Sequence, residues 1–495
     1  MFTMTDKEHI QEILDLTKRK ETKEEEELIE KAYYFAKHAH EGQKRASGEP
    51  YFNHVLATAK NLARYEMDAL TISAGFLHDT VEDTDVTEKD IKEEFGEEIL
   101  KLVEGVTKLG TLKYRGVERH VESLRKFMMA AANDPRVIMI KLADRLHNLE
   151  TLQYVRKDKQ QRIALESLEV YAPLAARLSI GKLKGEIEDA AFPFAYPKEY
   201  KEITEILNEK KNEYKKELEK VHEDLKDLLE LENIDAIKID YRVKHRYSFW
   251  KKLNKHNGDI SRIYDIIALR VIVKDIATCY RVMGIVHSHW KPLPGRIKDY
   301  IALPKTNGYQ SLHTTIFTGN GHIAEIQIRT PEMHGRAEYG IASHYTYKEE
   351  SKNKKKDDKF QWFEEFKNLG KEHEEPVEDI LEDLKMDTFS DRIFVFTPKG
   401  DVIDLPEGSC SIDFAYAVHS DLGDTLSSVK INGKMEKIFT PLKSHDIVEV
   451  FTSKNSKPTS KWLSHAKTQV ARKRINSYLK QNSLMNKFLN ISRKK

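Results

Sequence analysis

The chain has 495 residues, too many for one ordinary core and suited to about three domains. A third of them are charged (33%), yet the formal net charge is only +1, which excludes bulk attraction to nucleic acid and leaves local basic patches as the means of gripping phosphates. No apolar run reaches membrane-span length, the amino end MFTMTDKEHIQEIL lacks a signal-peptide core, and the distant Cys279 and Cys410 read as reduced core thiols, so a cytoplasmic protein with no membrane partner is expected.

From Glu8 to about Pro193 the apolar spacing predicts successive amphipathic helices with short polar turns and no strand alternation, an all-α block. Within it AGFLHDTVEDT predicts a buried helix in which His78 lies over Glu82 and Asp79 over Asp83, so that ligands and acid–base carboxylates point the same way. Upstream, GEPYFNH ends in His54; downstream, KLADRLHNLETL puts Asp144, Asn148 and Thr151 on one helix face. His54, His78, Asp79 and Asp144 form a two-imidazole, two-carboxylate set without thiolate, which suits Mn²⁺, Fe²⁺ or Zn²⁺ and tilts towards the harder Mn²⁺. Arg45 sits in a basic, Gly-rich run, GQKRASGEP, suited to a loop meeting a phosphorylated ligand. His38, His40, His120, His147 and His334 are read as ordinary surface or core histidines.

Pro197 to about Glu232 is Lys/Glu-rich with roughly helical spacing of Ile203, Ile206, Leu207, Tyr214, Leu218, Val221, Leu225 and Leu228, and reads as a solvated helix; the apolar positions do not keep the heptad register of a coiled coil. After Asn233, β-rich segments such as DIIALRVIV and HIAEIQIRT alternate with helical ones, a mixed α/β block reaching about Lys348. In GRIKDYIALPKTNGYQSLHTT, Lys298 and Lys305 supply point charges, Asn307 and Gly308 suit a tight turn, and Tyr309 offers an aromatic face to a purine. Asp265 opens one strand and Glu325 lies in another, its face shared with Gln327 and Arg329; carboxylates meeting from two strands are what Mg²⁺-assisted phosphoryl transfer needs. The charged run KEESKNKKKDDKFQWFEEFKNLGKEHEEPVED reads as a linker, Asp391 to Thr452 as short strands around the helical SIDFAYAVHSDLG, a small β-grasp module, and the remainder as a basic helical region whose Arg472-Lys473-Arg474 cluster is a solvated face.

These segments together resemble the RelA/SpoT family, which makes and destroys the guanosine alarmones ppGpp and pppGpp, and the resemblance spans nearly the whole chain. It implies a multidomain fold: an all-α HD-type hydrolase domain (1–195), a connecting helical region (196–235), a mixed α/β nucleotidyltransferase-like synthetase domain (236–348), a charged linker (349–387), a β-grasp TGS domain (388–453) and the start of a C-terminal helical region (454–495). It implies Mn²⁺ on His54, His78, Asp79 and Asp144, attacking water handled by Glu82 and Asp83, guanine packed on Arg45, and a nucleotide pocket lined by Asn148 and Thr151. In the synthetase it implies Mg²⁺ on Asp265 and Glu325, with Gln327 near the acceptor 3′-hydroxyl. Tyr309 would stack on the guanine of GDP or GTP beside Asn307 and His313, and Arg242, Lys244, Ser248 and Lys252 would grip ATP, with Arg270 as a further phosphate contact. Arg296-Ile297-Lys298-Asp299 has the basic form of the family's bifunctional members. Ala46 and Glu150 depart from the usual Lys and Arg.

The expected activities are pyrophosphoryl transfer from ATP to the 3′-oxygen of GDP or GTP, and Mn²⁺-dependent hydrolysis of (p)ppGpp. The TGS resemblance implies a partner at the 3′ end of uncharged tRNA on the ribosome, through His419. The chain stops soon after that module, as a truncated or naturally short member would, which counts against ribosome control. The competing readings are an HD phosphohydrolase for other nucleotides with a silent second domain, and a regulatory protein that senses nucleotide or tRNA.

Overall fold

The structure is a computed structural model describing residues 5–17, 21–110, 134–263, 265–305, 308–319, 322–340, 392–468 and 470–480. Asn307, His120 and the expected linker 349–387 lie outside these residues. The chain forms two compact units, Met1–Ile380 and Leu381–Lys495.

Helices fill the first unit as far as Leu231. Helices α1 (Asp6–Leu16) and α2 (Lys23–Ala39) open on capping boxes, Thr5 with Glu8 and Thr22 with Glu25, which satisfy otherwise orphaned amides at both helix starts. Helices α3 (Phe52–Arg64) and α4 (Ala69–Leu77, capped by Asp68) pack together and against α7 (Pro135–Glu150), whose Pro135 sits in the first turn, where a missing N–H costs nothing. The short α5 (Thr80–Asp83) and the kinked α6 (Glu88–Gly110) lie between α4 and α7 in the chain. After α7 come α8 (Lys157–Glu166), α9 (Ala172–Arg177), α10 (Gly181–Ala195) and the long α11 (Pro197–Leu231).

The α/β block follows: β1 (Lys238–Val243), α12 (Arg246–Lys255), β2 (Ile267–Ile272), α13 (Ile276–His289), β3 (Lys298–Asp299), β4 (Leu312–Gly319), β5 (His322–Arg329) and α14 (Pro331–Tyr339). Its five-stranded sheet has the order β1-β2-β5-β4-β3, with β2 and β5 parallel and the other neighbours antiparallel. The register sets Gln327 between Arg270 and His313, and Glu325 between Ala268 and Thr315. Helix α11 is not the solvated helix expected. Ile203, Leu207, Leu218, Val221, Leu225 and Leu229 are buried in the same core as Leu269, Ile316 and Ile326 of the sheet, because their spacing makes one apolar stripe and the sheet face needs a cover.

In the second unit, β6 (Arg392–Phe396) pairs with β7 (Val402–Pro406), and β8 (Leu426–Ile431) lies between β10 (Val448–Thr452) and β9 (Lys434–Glu436). A parallel bridge from Phe396 to Ile447 links the two sets, and α15 (Ser411–Val418) packs on β7, β8 and β10. The fully buried Asp413 accepts from the backbone N–H of Cys410, Lys467 and Thr468, tying the following chain to the module. Cys279 and Cys410 are both buried and unpaired. Among the described residues no helix is long and apolar enough to cross a membrane.

Candidate active sites

The helical site is assembled where α3, α4 and α7 meet. His54 Nε2 stands 3.2 Å from Asp144 Oδ1 and 3.4 Å from Asp79 Oδ2, and His78 Nε2 lies 3.2 Å from Asp79 Oδ2. His54, His78 and Asp144 offer donor atoms that all fall within 4.8 Å of one another, and all three residues are buried. His78 Nε2 makes no well-aligned hydrogen bond despite its burial, while its Nδ1 faces Gly75 O at 2.7 Å. A buried imidazole nitrogen without a partner, beside two carboxylates, fits a divalent metal ion.

The HDTVEDT run is not one continuous helix. Helix α4 ends at Leu77 and α5 begins at Thr80, so His78 and Asp79 form a turn that swings the Asp79 carboxylate towards both imidazoles. Glu82 is left exposed at the rim. Tyr51, which carried no assignment, lies with its hydroxyl 2.8 Å from Asp79 Oδ2 and 2.7 Å from Asp83 Oδ2, and so bridges the ligand set to the second carboxylate.

The charges here are strongly biased. Burial would raise the Asp79 carboxyl, but His78 and His54 hold it well below its usual range; Asp144 is likewise lowered against burial, chiefly by Lys141, whose Nζ donates to Oδ2 at 2.8 Å. Burial works against the charged form of His78, yet Asp79 and Asp144 raise its pKa to about 9. Burial, then the Asp79 and Asp83 charges, raise the Glu82 carboxyl.

Arg45 is presented by a tight loop in which Gly48 takes φ +85° and Arg45 N–H donates to Glu49 O at 2.9 Å. Its guanidinium donates to Asn148 Oδ1, reaches Thr151 Oγ1 at 3.5 Å, and lies 3.1 Å from His147 Nδ1. The expected nucleotide residues therefore meet beside the metal-type cluster. His147, read as an ordinary histidine, also contacts His54, Nδ1 to Nδ1, at 2.8 Å. Lys141 and His147 flank Asp144 at i−3 and i+3, a spacing that offered a sequence signal; Tyr51 offered none.

The α/β site gathers on the sheet face that carries Glu325 and Gln327. Asp265 Oδ2 takes hydrogen bonds from Lys244 Nζ (2.5 Å) and Lys252 Nζ (2.6 Å), while Asp265 Oδ1 is buried without a partner. Burial would raise Asp265, but the two ammonium groups lower it strongly; the Lys244 pKa is brought down to about 8, burial outweighing the Asp265 carboxylate. Glu325 Oε1 lies 3.3 Å from His313 Nδ1 and accepts from Gln327 Nε2 at 2.7 Å, and Gln327 Oε1 accepts from Arg242 at 3.2 Å. Burial would raise Glu325 and the Asp265 charge adds to that, but its hydrogen bond with His313 and the other contacts lower it.

On the far side of His313, Nε2 stands 2.8 Å from the Tyr309 hydroxyl, and Lys305 Nζ lies 5.6 Å from the Tyr309 ring centroid. Lys298 pairs with His313 across the ladder. Ser248, on α12, donates to Glu188 at 2.9 Å. Arg270, beside Gln327 in the sheet register, is held by Asp240 in a bidentate pair of 2.8 and 2.7 Å and by Glu338 at 2.8 Å. In the second unit the His419 side chain is 65% exposed, with Nδ1 accepting from Asp421 N–H.

Three family models match the chain: the HD domain over residues 32–181, the region found in RelA / SpoT proteins over 241–352, and the TGS domain over 393–452. A guanosine-3′,5′-bis(diphosphate) 3′-pyrophosphohydrolase of Aquifex aeolicus is 46% identical, covering 92% of this chain and 65% of that protein. A protein of the same name from Borreliella burgdorferi is 42% identical, covering 92% of this chain and 68% of that protein. The bifunctional (p)ppGpp synthase/hydrolase SpoT of Escherichia coli K12 is 41% identical, covering 91% and 64%. The chain thus spans about two thirds of the length of these curated relatives.

Proposed function

The chain belongs to the RelA/SpoT family, and from that premise we propose that it both makes and destroys (p)ppGpp. The observation that carries the reading is that each half holds its own cluster of opposed charges: His54, His78, Asp79 and Asp144 beside Arg45, and the Asp265 and Glu325 carboxylates beside Lys244, Lys252 and Arg242. The division into hydrolase (1–195), connecting region (196–235), synthetase (236–348) and TGS module (388–453) is part of the proposal.

In the hydrolase, His54, His78, Asp79 and Asp144 would hold Mn²⁺, whose chemistry is to make a bound water acidic enough to attack phosphorus. Glu82, its carboxyl raised towards the range of a general base, would take the water proton, with Asp83 held beside it by Tyr51. Arg45, aimed by Asn148 and Thr151, would pack on guanine. The products would be GDP or GTP and pyrophosphate.

In the synthetase, Asp265 and Glu325 would hold Mg²⁺, which neutralises phosphate charge when bound. Arg242, Lys244, Ser248 and Lys252 would grip ATP, supported by Lys298 and Lys305. Tyr309 and His313 would set the guanine of GDP or GTP, with Asn307 in the same loop, and Gln327, anchored at both ends of its amide, would orient the acceptor 3′-hydroxyl. Arg270, held ready by Asp240 and Glu338, would be a further phosphate contact. Catalysis is then largely placement and charge neutralisation. The products would be AMP and (p)ppGpp.

The TGS match and the exposed His419 support the 3′ end of uncharged tRNA, and through it the ribosome, as a partner. Two buried free thiols and an ATP-dependent reaction fit a cytoplasmic setting. The test is to incubate the protein with ATP, GDP and Mg²⁺, and separately with ppGpp and Mn²⁺, and resolve the nucleotides by chromatography. AMP with ppGpp in the first and GDP in the second are expected. Absence of either set of products overturns the bifunctional reading.

A further inference from the structure

Helix α10 lies on the hydrolase side of the chain, yet one of its faces is built for the synthetase. Gly181, Lys184, Gly185, Glu188, Asp189 and Phe192 fall at i, i+3, i+4, i+7, i+8 and i+11, a single stripe on a helix. Phe192 belongs to the core that includes the sheet and Phe249 of α12. Gly185 is required by contact, since a Cβ there would collide with the His245 imidazole, and at Gly340, which ends α14 with φ +54°, a Cβ would collide with the Leu178 carbonyl.

The polar members of the stripe hold the first turn of α12. Residue His245, at the N-cap of α12, gives no side-chain cap, so the amides of that turn need an acceptor from elsewhere. Asp189 supplies it: Oδ1 accepts from Tyr247 N–H at 3.1 Å, and Oδ2 lies 3.1 Å from His245 Nδ1. Glu188, only 2% exposed, accepts from Ser248 Oγ at 2.9 Å and from Lys184 Nζ at 2.9 Å. One turn further along α12, Lys252 reaches Asp265.

We propose that Glu188 and Asp189 are positioning residues for the synthetase: a helix of the hydrolase side caps and orients the segment, Ser248 to Lys252, that takes ATP. This rests on the assignment of that segment to ATP in the proposed function. Because the Ser248 proton is committed to Glu188 and one of its lone pairs faces Lys184 Nζ at 3.4 Å, what Ser248 offers the nucleotide is its remaining lone pair, which would accept from a ribose hydroxyl or the adenine amino group. A buried Glu188 and a half-buried Asp189 spent on a neighbouring domain's helix start are otherwise an expensive way to join two domains.

The test uses the full chain and α,β-methylene-ATP, whose α–β bridge cannot be cleaved, so that binding is read by calorimetry without turnover. Asp189→Ala and Glu188→Ala should each weaken it roughly tenfold, the ordinary worth of a helix cap expressed as affinity. GDP affinity and Mn²⁺-dependent release of pyrophosphate from ppGpp should stay within about twofold in both, and Glu188→Gln, which keeps an acceptor for Ser248, should restore most of the loss. Unchanged analogue affinity overturns the proposal. So does an equal fall in GDP affinity and hydrolysis, which would mean mere cement between domains, and so does a tighter grip on the analogue, which would mean that the carboxylates compete with ATP. If thermal melts show either alanine variant to be unfolded, Gly185→Ala decides instead, because it pushes His245 off Asp189 and carries the same ATP-only expectation. Failure of the functional reading is seen separately, as wild-type protein that forms no AMP from ATP and GDP.

Discussion

His54 and His147 meet nitrogen to nitrogen, Nδ1 to Nδ1, at 2.8 Å, so in that contact one ring must donate and the other accept. With His54 Nε2, which faces Asp144 and Asp79, taken up by a metal ion, its proton would sit on Nδ1, making His54 the donor and His147 the acceptor. Burial, then the His54 and Arg45 charges, push the His147 pKa down to about 3, which keeps that ring neutral and able to accept. Arg45 approaches the same nitrogen, so one side chain joins the nucleotide loop to the metal-type cluster.

The consequence is measurable without turnover. Outer-shell partners of metal-binding histidines are commonly worth 10–100-fold in metal affinity, so His147→Leu should weaken Mn²⁺ binding by roughly that factor in an electron paramagnetic resonance titration. His147→Asn places an amide oxygen near the Nδ1 position and should recover part of the loss. Wild-type affinity in the leucine variant would make the contact incidental.

Asp79→Ala should abolish Mn²⁺-dependent release of pyrophosphate from ppGpp and leave AMP formation from ATP and GDP measurable, because the lost carboxylate contacts His54, His78 and Tyr51, all in the helical block. Glu325→Gln should do the reverse. Hydrolysis at the wild-type rate in Asp79→Ala would remove that residue from the metal set.

Tyr309→Ala should weaken GDP binding by roughly 1–3 kcal/mol, the usual worth of an aromatic–base stack. From sequence, Tyr309→Phe would be mild, since stacking needs no hydroxyl. The structure gives the hydroxyl a partner, His313, whose other nitrogen faces Glu325. Tyr309→Phe should therefore keep GDP affinity within a few-fold but slow synthesis roughly tenfold, about one lost hydrogen bond transmitted to the carboxylate. An unchanged kcat would confine Tyr309 to stacking.

Acid should unsettle the α/β block through His334. Burial, then Arg329 and Arg270, lower its pKa to about 4, with Glu338 and Asp240 opposing. The folded value lies below the unfolded one, so the unfolded chain binds the extra proton. The contribution is therefore complete above about pH 6.5 and is lost as the pH falls towards 4. On the order of 2 kcal/mol is at stake, and urea midpoints of His334→Gln should fall less steeply across that window than those of wild type. Parallel slopes would show that other groups carry the acid response.

The parts readable in the sequence were those whose chemistry is local. The HD pair, the KLADRLHNL face and the alternation around Glu325 each declare themselves within a few residues, and the apolar periods separated the helical block from the sheet. What escaped depends on tertiary register. The partners of Arg270 were not readable, because the β1–β2 pairing sets it opposite Asp240 and α14 adds Glu338. His147 looked ordinary because its partner His54 lies 93 residues away. The break at His78 and Asp79 follows no proline or glycine, so helical spacing ran straight through it.

The docking of α10 changes what counts as a separable part. A cut after Ala195, where the hydrolase domain ends by sequence, would leave the synthetase half without Phe192, whose ring meets those of Tyr196, Tyr200, Tyr247 and Trp250, and without the carboxylate that closes the start of α12. A fragment meant to carry synthesis alone has to begin before Gly181. The hydrolase half has its ligands and nucleotide loop before Leu152, yet it needs the same helix: α10 also packs on α7, α8 and α9, and its Glu186 accepts from Arg64 and Tyr65. Heredity could therefore divide these two activities only by duplicating or replacing α10, not by clipping the chain at its evident border.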